Sequence, residues 1–329
     1  MNASLNTSRR ALLCSAVAST ALISLGAQAQ TFPDKPMKIV VGAPAGGSAD
    51  VIARTLGEGL SQLLGQPVIV DNKPGAAGLI GTQELLKAPR DGHTLMIAVN
   101  GLVSEVPHVM KLPFDPLKEL RPVAELARTG LLLVASPQLG VSDVKGAVAH
   151  IKANPGKISY ASYSTGSMSH TLGLAFNQLM GTDMVHVGYR GSPPALVDVM
   201  GGTVPYMFDG PATALPLIKG GKLKALATTA PQRMGVLPDV PTFAELGHKE
   251  LTEVVWMGLW TTPDVPAANQ ARLREAVLKV LQNPKLREQF ASLGLDMGSG
   301  ATPDELSRSL KAASDKQATL LKAIGFKPE

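Results

Sequence analysis

Side chains able to do chemistry are sparse in this chain, and one pair falls at a workable spacing. Ser167 and His170 stand three residues apart, which on a helix makes them neighbours and lets a hydroxyl meet a base. Ser164 supplies a second hydroxyl on the same turn. No acid is placed by sequence to orient the imidazole, and no G-x-S-x-G elbow surrounds either serine. A nucleophile–base pair at Ser167 and His170 therefore stands as the alternative reading, a hydrolase or transferase. The other histidines (93, 108, 150, 186 and 248) show no metal-ligand spacing, and the carboxylates form no recognisable pair. No metal and no cofactor is expected.

The sequence offers main chain where side chains are lacking. A short apolar run, Ile39-Val40-Val41, leads through Ala45-Gly46-Gly47-Ser48 into a stretch whose apolar residues (Val51, Ile52, Leu56, Leu60, Leu63, Leu64) recur at helical steps. Ser48 stands at the N-cap position and Gly65 follows as a stop. A glycine loop at a helix start presents unpaired backbone N–H groups, and the dipole adds partial positive charge. Such a turn is a seat for an anion. The loop has neither the lysine of a Walker A motif nor G-x-G-x-x-G spacing.

The elements that must position this seat repeat along the chain. Residues 68–70 form a strand, 72–78 a second glycine-rich turn, 81–87 a short helix and 95–99 a third strand. Alternation of this kind implies parallel pairing with right-handed crossovers. Loops 43–48, 72–78 and 100–104 then converge on the carboxyl rim, which brings Asn100 to the site. A second series begins at residue 131 and is read as another parallel sheet. Its strands 158–162, 184–187 and 206–208 lead into turns bearing Tyr163, Ser164, Gly166 and Ser167, then Tyr189, Arg190, Gly191 and Ser192, then Asp209. Residues 254–260 read as a strand carrying the chain back, and 267–282, 284–293 and 303–324 as helices. Trp256 and Trp260 on that return strand read as packing residues. Two lobes joined by two crossing segments follow, the first from residues 31–130 and 255–329, the second from 131–254.

Residues 1–29 read as a removable export signal: Arg9-Arg10, an apolar stretch to Leu25, and Ala27-Gln28-Ala29 as cleavage site. Ser8-Arg9-Arg10-Ala11-Leu12-Leu13 also fits a twin-arginine signal. Cys14, the one cysteine, lies within this leader, so the mature chain carries no thiol chemistry. The net charge of +5 falls to +3 once Arg9 and Arg10 leave. That excess is dispersed and aromatics are few, which argues against nucleic acid as a partner.

Several stretches together resemble one family. They are 36–50 (PMKIVVGAPAGGSAD), 70–78 (VDNKPGAAG), 91–95 (DGHTL), 166–170 (GSMSH), 188–195 (GYRGSPPA), 237–245 (LPDVPTFAE) and 256–259 (WMGL). In number and order they resemble the Bug family, extracytoplasmic solute receptors associated with tripartite tricarboxylate transporters. Ser164 departs from the glycine usual there, and Thr261-Thr262-Pro263 from the usual alanine–proline stretch. The resemblance implies an α/β fold like type II periplasmic binding proteins, two doubly wound α/β lobes around a ligand cleft, with no catalytic activity. It implies a periplasmic monomer that closes on a small carboxylated ligand (a dicarboxylate, amino acid or aromatic carboxylate) and delivers it to membrane transporter subunits or a sensor kinase. It assigns the carboxylate to main-chain amides of Ala45, Gly46, Gly47 and Ser48 in one lobe, and to Gly191 with Ser192 and Tyr189 in the other. Ser164, Gly166 and Ser167 supply a third turn. Asp209 is either a contact for a ligand ammonium or amide, or an N-cap for the helix beginning at Pro211. Asp50 is read as structural.

Overall fold

The computed structural model describes residues 32–323, so the proposed export signal lies outside the described residues. The described residues from Lys35 onward make one unit. The first three strands follow the expected alternation. β1 (Met37–Val41) pairs in parallel with both β2 (Val68–Asn72) and β3 (Thr94–Val99), Ile39 lying opposite Val70 on one side and Leu95 on the other. Between β1 and β2 runs the helix Ser48–Leu64, which buries Ile52, Leu56 and Leu60 and ends at Gly65, whose backbone is left-handed at φ 69°. Ser48 is the first helical residue and not the cap; Gly47 takes the cap position, with no side-chain bond.

The chain next forms β4 (Arg121–Thr129), a nine-residue strand that the periodicity does not announce. β4 lies inside the first sheet, whose order is completed by β10 (Val255–Thr261) and β11 (Asp296–Met297) as β11-β4-β10-β3-β1-β2. Its charges are paired, Arg121 with Asp304 and Arg128 with Glu125. Glu125, 2 % exposed, receives two bonds from Arg128 at 2.7 and 2.8 Å and another from the Ser299 amide. β10, the expected return strand, is buried along its whole length and runs antiparallel to β3 and β4. Trp256 and Trp260 stack at 5.4 Å, and Trp260 Nε1 donates to the Ala98 carbonyl; both are packing residues.

The second sheet comprises β5 (Leu132–Ala135), β6 (Ser159–Ser162), β7 (Val185–Gly188), β8 (Tyr206–Asp209) and β9 (Lys224–Thr228), in the order β7-β6-β8-β5-β9. The expectation of an all-parallel sheet fails at β5, which runs antiparallel to β8 and β9. β5 follows β4 across Gly130 with no helix between, so it enters its sheet from the opposite side to strands that follow a helix. Phe176, Phe208 and Phe243 meet with ring centroids 6.0–6.4 Å apart at the centre of this half.

The two crossing segments lie side by side. Thr229 Oγ1 accepts from Leu131 N–H and donates to the Glu253 carbonyl. Gly130 passes so close that a Cβ there would lie 2.2 Å from the Ala230 nitrogen. Backbone on both sides has to move to admit a methyl group. Gly130→Ala is therefore expected to lower stability by about 2–3 kcal/mol, measured by urea unfolding; an unchanged midpoint would show that the crossing segments have slack.

Candidate functional site

Loop 42–47 follows β1, loop 188–191 follows β7, and Gly210 follows β8. The first is shaped by its own contacts: Asn72 Nδ2 donates to the Ala43 carbonyl at 3.0 Å, Gly46 N–H to Asp50 Oδ2 at 2.9 Å and Gly47 N–H to the Pro44 carbonyl. Asp50, buried and paired with Arg54 at 2.9 Å, is a structural residue of the loop. Across from it, Gly191 N–H donates to the Tyr163 carbonyl at 2.9 Å. The loops touch: a Cβ on Gly191 (φ +118°) would lie 2.3 Å from Pro44, and one on Gly210 would lie 3.3 Å from Ser48 Oγ.

These bonds change the expected set of donors. The amides of Gly46, Gly47 and Gly191 are all engaged within their own loops. What stays open is the first turn of the Ser48 helix, where the amides of Ser48, Ala49 and Asp50 have no carbonyl four residues back inside the helix. On the facing helix, Ser192–Gly201, Pro193 and Pro194 follow Ser192 and carry no N–H. Its start therefore offers the Ser192 amide and hydroxyl, the latter donating to Thr213 Oγ1 at 3.1 Å.

Between the loops lies a cavity of about 150 Å³, comparable to one that holds a benzene molecule. Of the residues expected there, Gly47, Ser48, Ser164, Ser167, Tyr189, Gly191, Ser192 and Asp209 line it, with Arg190 at an exposed position. Ala45 and Gly46 are exposed outside the lining. Gly166 stands behind it, its N–H donating to His170 Nδ1 at 3.1 Å. Asn100 is also displaced from the expected role, because its Oδ1 accepts the Trp256 N–H at 3.0 Å and its own N–H goes to the Trp256 carbonyl. Tyr189 is on the wall, but its hydroxyl is held by Asp198 at 2.5 Å. Apolar wall comes from Pro44, Leu102, Met168, Val255 and Met257.

The turn 75–78 also lines the cavity, although its residues were not among the expected contacts. Four successive residues have positive φ, including Ala76 (46°) and Ala77 (54°). L-residues adopt this conformation at a cost of about 1–2 kcal/mol each, and strain of that kind gathers at binding sites. The sequence signal was Gly75-Ala76-Ala77-Gly78 itself, which marked a turn but not its conformation.

Asp209 closes the cavity floor and is 1 % exposed. Its Oδ2 accepts from Thr213 Oγ1 at 2.6 Å, while Oδ1 is buried with no hydrogen-bond partner among the described residues. The helix cap is Gly210, without a side-chain bond, so the N-cap alternative for Asp209 does not hold. Burial pushes its carboxyl up to about 6, against the lowering effect of Thr213, Ser192 and the Gly210 amide.

The Ser167–His170 pair is not assembled as nucleophile and base. Ser167 Oγ donates to the Ser164 carbonyl at 2.6 Å, and His170 Nδ1 takes the Gly166 amide. His170 is stacked on His186 with centroids 3.8 Å apart. Burial pushes both imidazoles down to about 4, His186 adding to the effect on His170.

Two α/β sheets, each flanked by helices, that close glycine-rich loops on a small cavity make the architecture of a two-lobed solute-binding receptor. The chain belongs to the tripartite tricarboxylate transporter receptor family, whose family model matches residues 52–326. It is 33 % identical to protein BugT of Bordetella pertussis over 94 % of this chain and 95 % of that one. Among solved structures it is similar to the R. palustris protein Rpa4515 with adipate, at 27 % identity and a TM-score of 0.87 over 91 % of this chain and all of that one. It is similar also to MatC from Rhodopseudomonas palustris with bound malate, at 29 % identity and a TM-score of 0.82 over 88 % of this chain and all of that one.

A group that holds its proton more tightly folded than unfolded favours the fold as pH falls. Asp209 is such a group between its ordinary 3.8 and about 6. Asp209→Asn keeps an acceptor for Thr213 and removes the charge. The variant is expected to gain most over the parent above pH 6, the difference closing by roughly 2–3 kcal/mol on acidification to pH 4. Thermal unfolding of both proteins across that range checks it; a constant difference would mean that Asp209 is not buried in the absence of ligand.

Proposed function

We propose that the protein is a periplasmic receptor that holds a small carboxylated molecule in the cavity, its carboxylate on the first turn of the Ser48 helix. The observation carrying this reading is that this turn opens on the cavity while the neighbouring loop amides are already engaged. An amide bond to a charged acceptor contributes roughly 1.5–3 kcal/mol, and a helix start about 1 kcal/mol more. Three or four such contacts, less the cost of immobilising the ligand, reach about micromolar affinity. Ser192, Ser167 and the 75–78 turn close around the same group. Asp209, on the cavity floor, has an unpaired oxygen that suits a hydroxyl, ammonium or protonated acid of the ligand. Adipate and malate, bound by the two related proteins, each carry a second carboxyl, which at Asp209 would have to share a proton with it.

The lobes are assigned to residues 31–130 with 255–329 and to 131–254, supported by the strands each sheet draws on. Residues 1–29 serve as the export signal, and family membership supports the periplasm and delivery to a tripartite transporter or a sensor. The protein acts as a monomer and binds without turnover.

Thermal shift and titration calorimetry with adipate, malate, aspartate and benzoate test the reading. At least one acid is expected to bind reversibly at one equivalent and raise the melting temperature, while its diamide or amide does not. Equal binding of the uncharged analogue would overturn the assignment. Gly191→Ala places a methyl group against Pro44 and is expected to weaken that acid tenfold or more. Unchanged affinity would show that the loops need not meet to hold the ligand.

A further inference from the structure

A second cavity, of about 200 Å³, lies behind the first. The crossing strand divides them: Val255 and Met257 line the front cavity, Val254 and Trp256 the rear one, as alternation of side chains along a strand requires. The helical segment at 100–106 divides them too, with Gly101, Leu102 and Val106 in front and Asn100, Ser104 and Glu105 behind. Glu105 is 5 % exposed, and its carboxyl takes one long hydrogen bond, from Thr171 Oγ1 at 3.4 Å. No basic group pairs with it among the described residues. Lys316, the cation on the lining, is held by Glu253 at 2.7 Å and is 70 % exposed. On the same wall the Gln317 amide nitrogen is buried without a partner. A buried acid and a buried amide, both facing one space without adequate partners, are groups that an occupant would satisfy.

We propose that the rear cavity is a binding site for a small organic ammonium compound, its nitrogen on the Glu105 carboxylate and its carbons against Met168, Leu172 and Trp256. A hydroxyl at the far end of the molecule would accept from Gln317. The site is independent of what fills the front cavity. The charged groups facing Glu105 are Glu253 and Lys316, with Glu250 also on the lining; the Tyr163 phenol lies within reach of its field on the other side. Burial, helped by the negative charge of Glu253, holds Glu105 up at about 8, so at neutral pH the empty site carries a proton. The ammonium replaces it: the neutral acid becomes a carboxylate paired with the cation, and one proton leaves to solvent.

The probe is 4-aminobutan-1-ol, with butane-1,4-diol as its uncharged twin, followed by tryptophan fluorescence, because Trp256 lines the site and the chain has two tryptophans. Saturable one-to-one binding of the amine but not the diol is expected, tightening about tenfold per pH unit from 6 to 7.5 as each binding event releases one proton. Glu105→Gln, close in shape to the protonated acid, is expected to abolish both the binding and the pH slope. Ala313→Leu, which fills the cavity from the C-terminal helix and leaves Glu105 in place, is expected to block binding as well. Gly191→Ala is expected to leave it intact, which separates this site from the front one. Circular dichroism melts establish that each variant is folded. No saturable binding to the parent, equal binding of the diol, or a Glu105→Gln protein that keeps its affinity would each overturn the proposal.

Discussion

Two loops can touch across the cleft because glycines on one side meet the side chains of Pro44 and Ser48 on the other. Gly191 rests on Pro44 and Gly210 on Ser48, at separations that leave no room for a methyl group at Gly191. Everything else at the site follows from that closeness. The cavity is small because its rims meet, and its donors are peptide nitrogens because there is no space for longer polar groups. The shape of the first rim is in turn set by one buried carboxylate: Asp50 reaches back from its helix to Gly46 and is itself neutralised by Arg54.

The division of labour among the backbone amides has a physical logic. Amides inside the loops are satisfied by carbonyls or by Asp50, which gives those loops a fixed form before any ligand arrives. Amides at the helix start cannot be satisfied internally, since a helix has no earlier turn to offer them. A receptor assembled this way recognises charge with rigid groups that lose little freedom on binding. Selectivity then falls to Asp209 and to the apolar wall, which differ in kind from the helix start.

Much of this was legible in the sequence. Apolar runs punctuated by glycine, proline and asparagine marked β1 to β3 and the helices at Ala267–Leu281 and Pro284–Ser292 within two residues. The convergence of loops followed from parallel pairing. β4 was not legible, because Arg121, Glu125 and Arg128 interrupt its apolar pattern and the groups that complete their pairing lie far off in sequence: Asp304 for Arg121 and Ser299, a hydrogen-bond donor to Glu125, 174 residues away. The direction of β5 was hidden for a related reason: it depends on how the chain leaves the neighbouring sheet. Most of the expected residues fall in segments that line the cavity, but which amides stay open depends on bonds such as Gly46 to Asp50 and Gly191 to Tyr163. Asn100 stood in the right segment yet pairs with Trp256, a strand distant in sequence.

That last pairing reaches beyond the site. Asn100 holds both the N–H and the carbonyl of Trp256, so a loop in one half is stitched at two points to a strand that connects the halves. A swivel of one half against the other takes this loop with it. The partition between the front and rear spaces then travels as one piece with the hinge strand and does not flex between the two spaces.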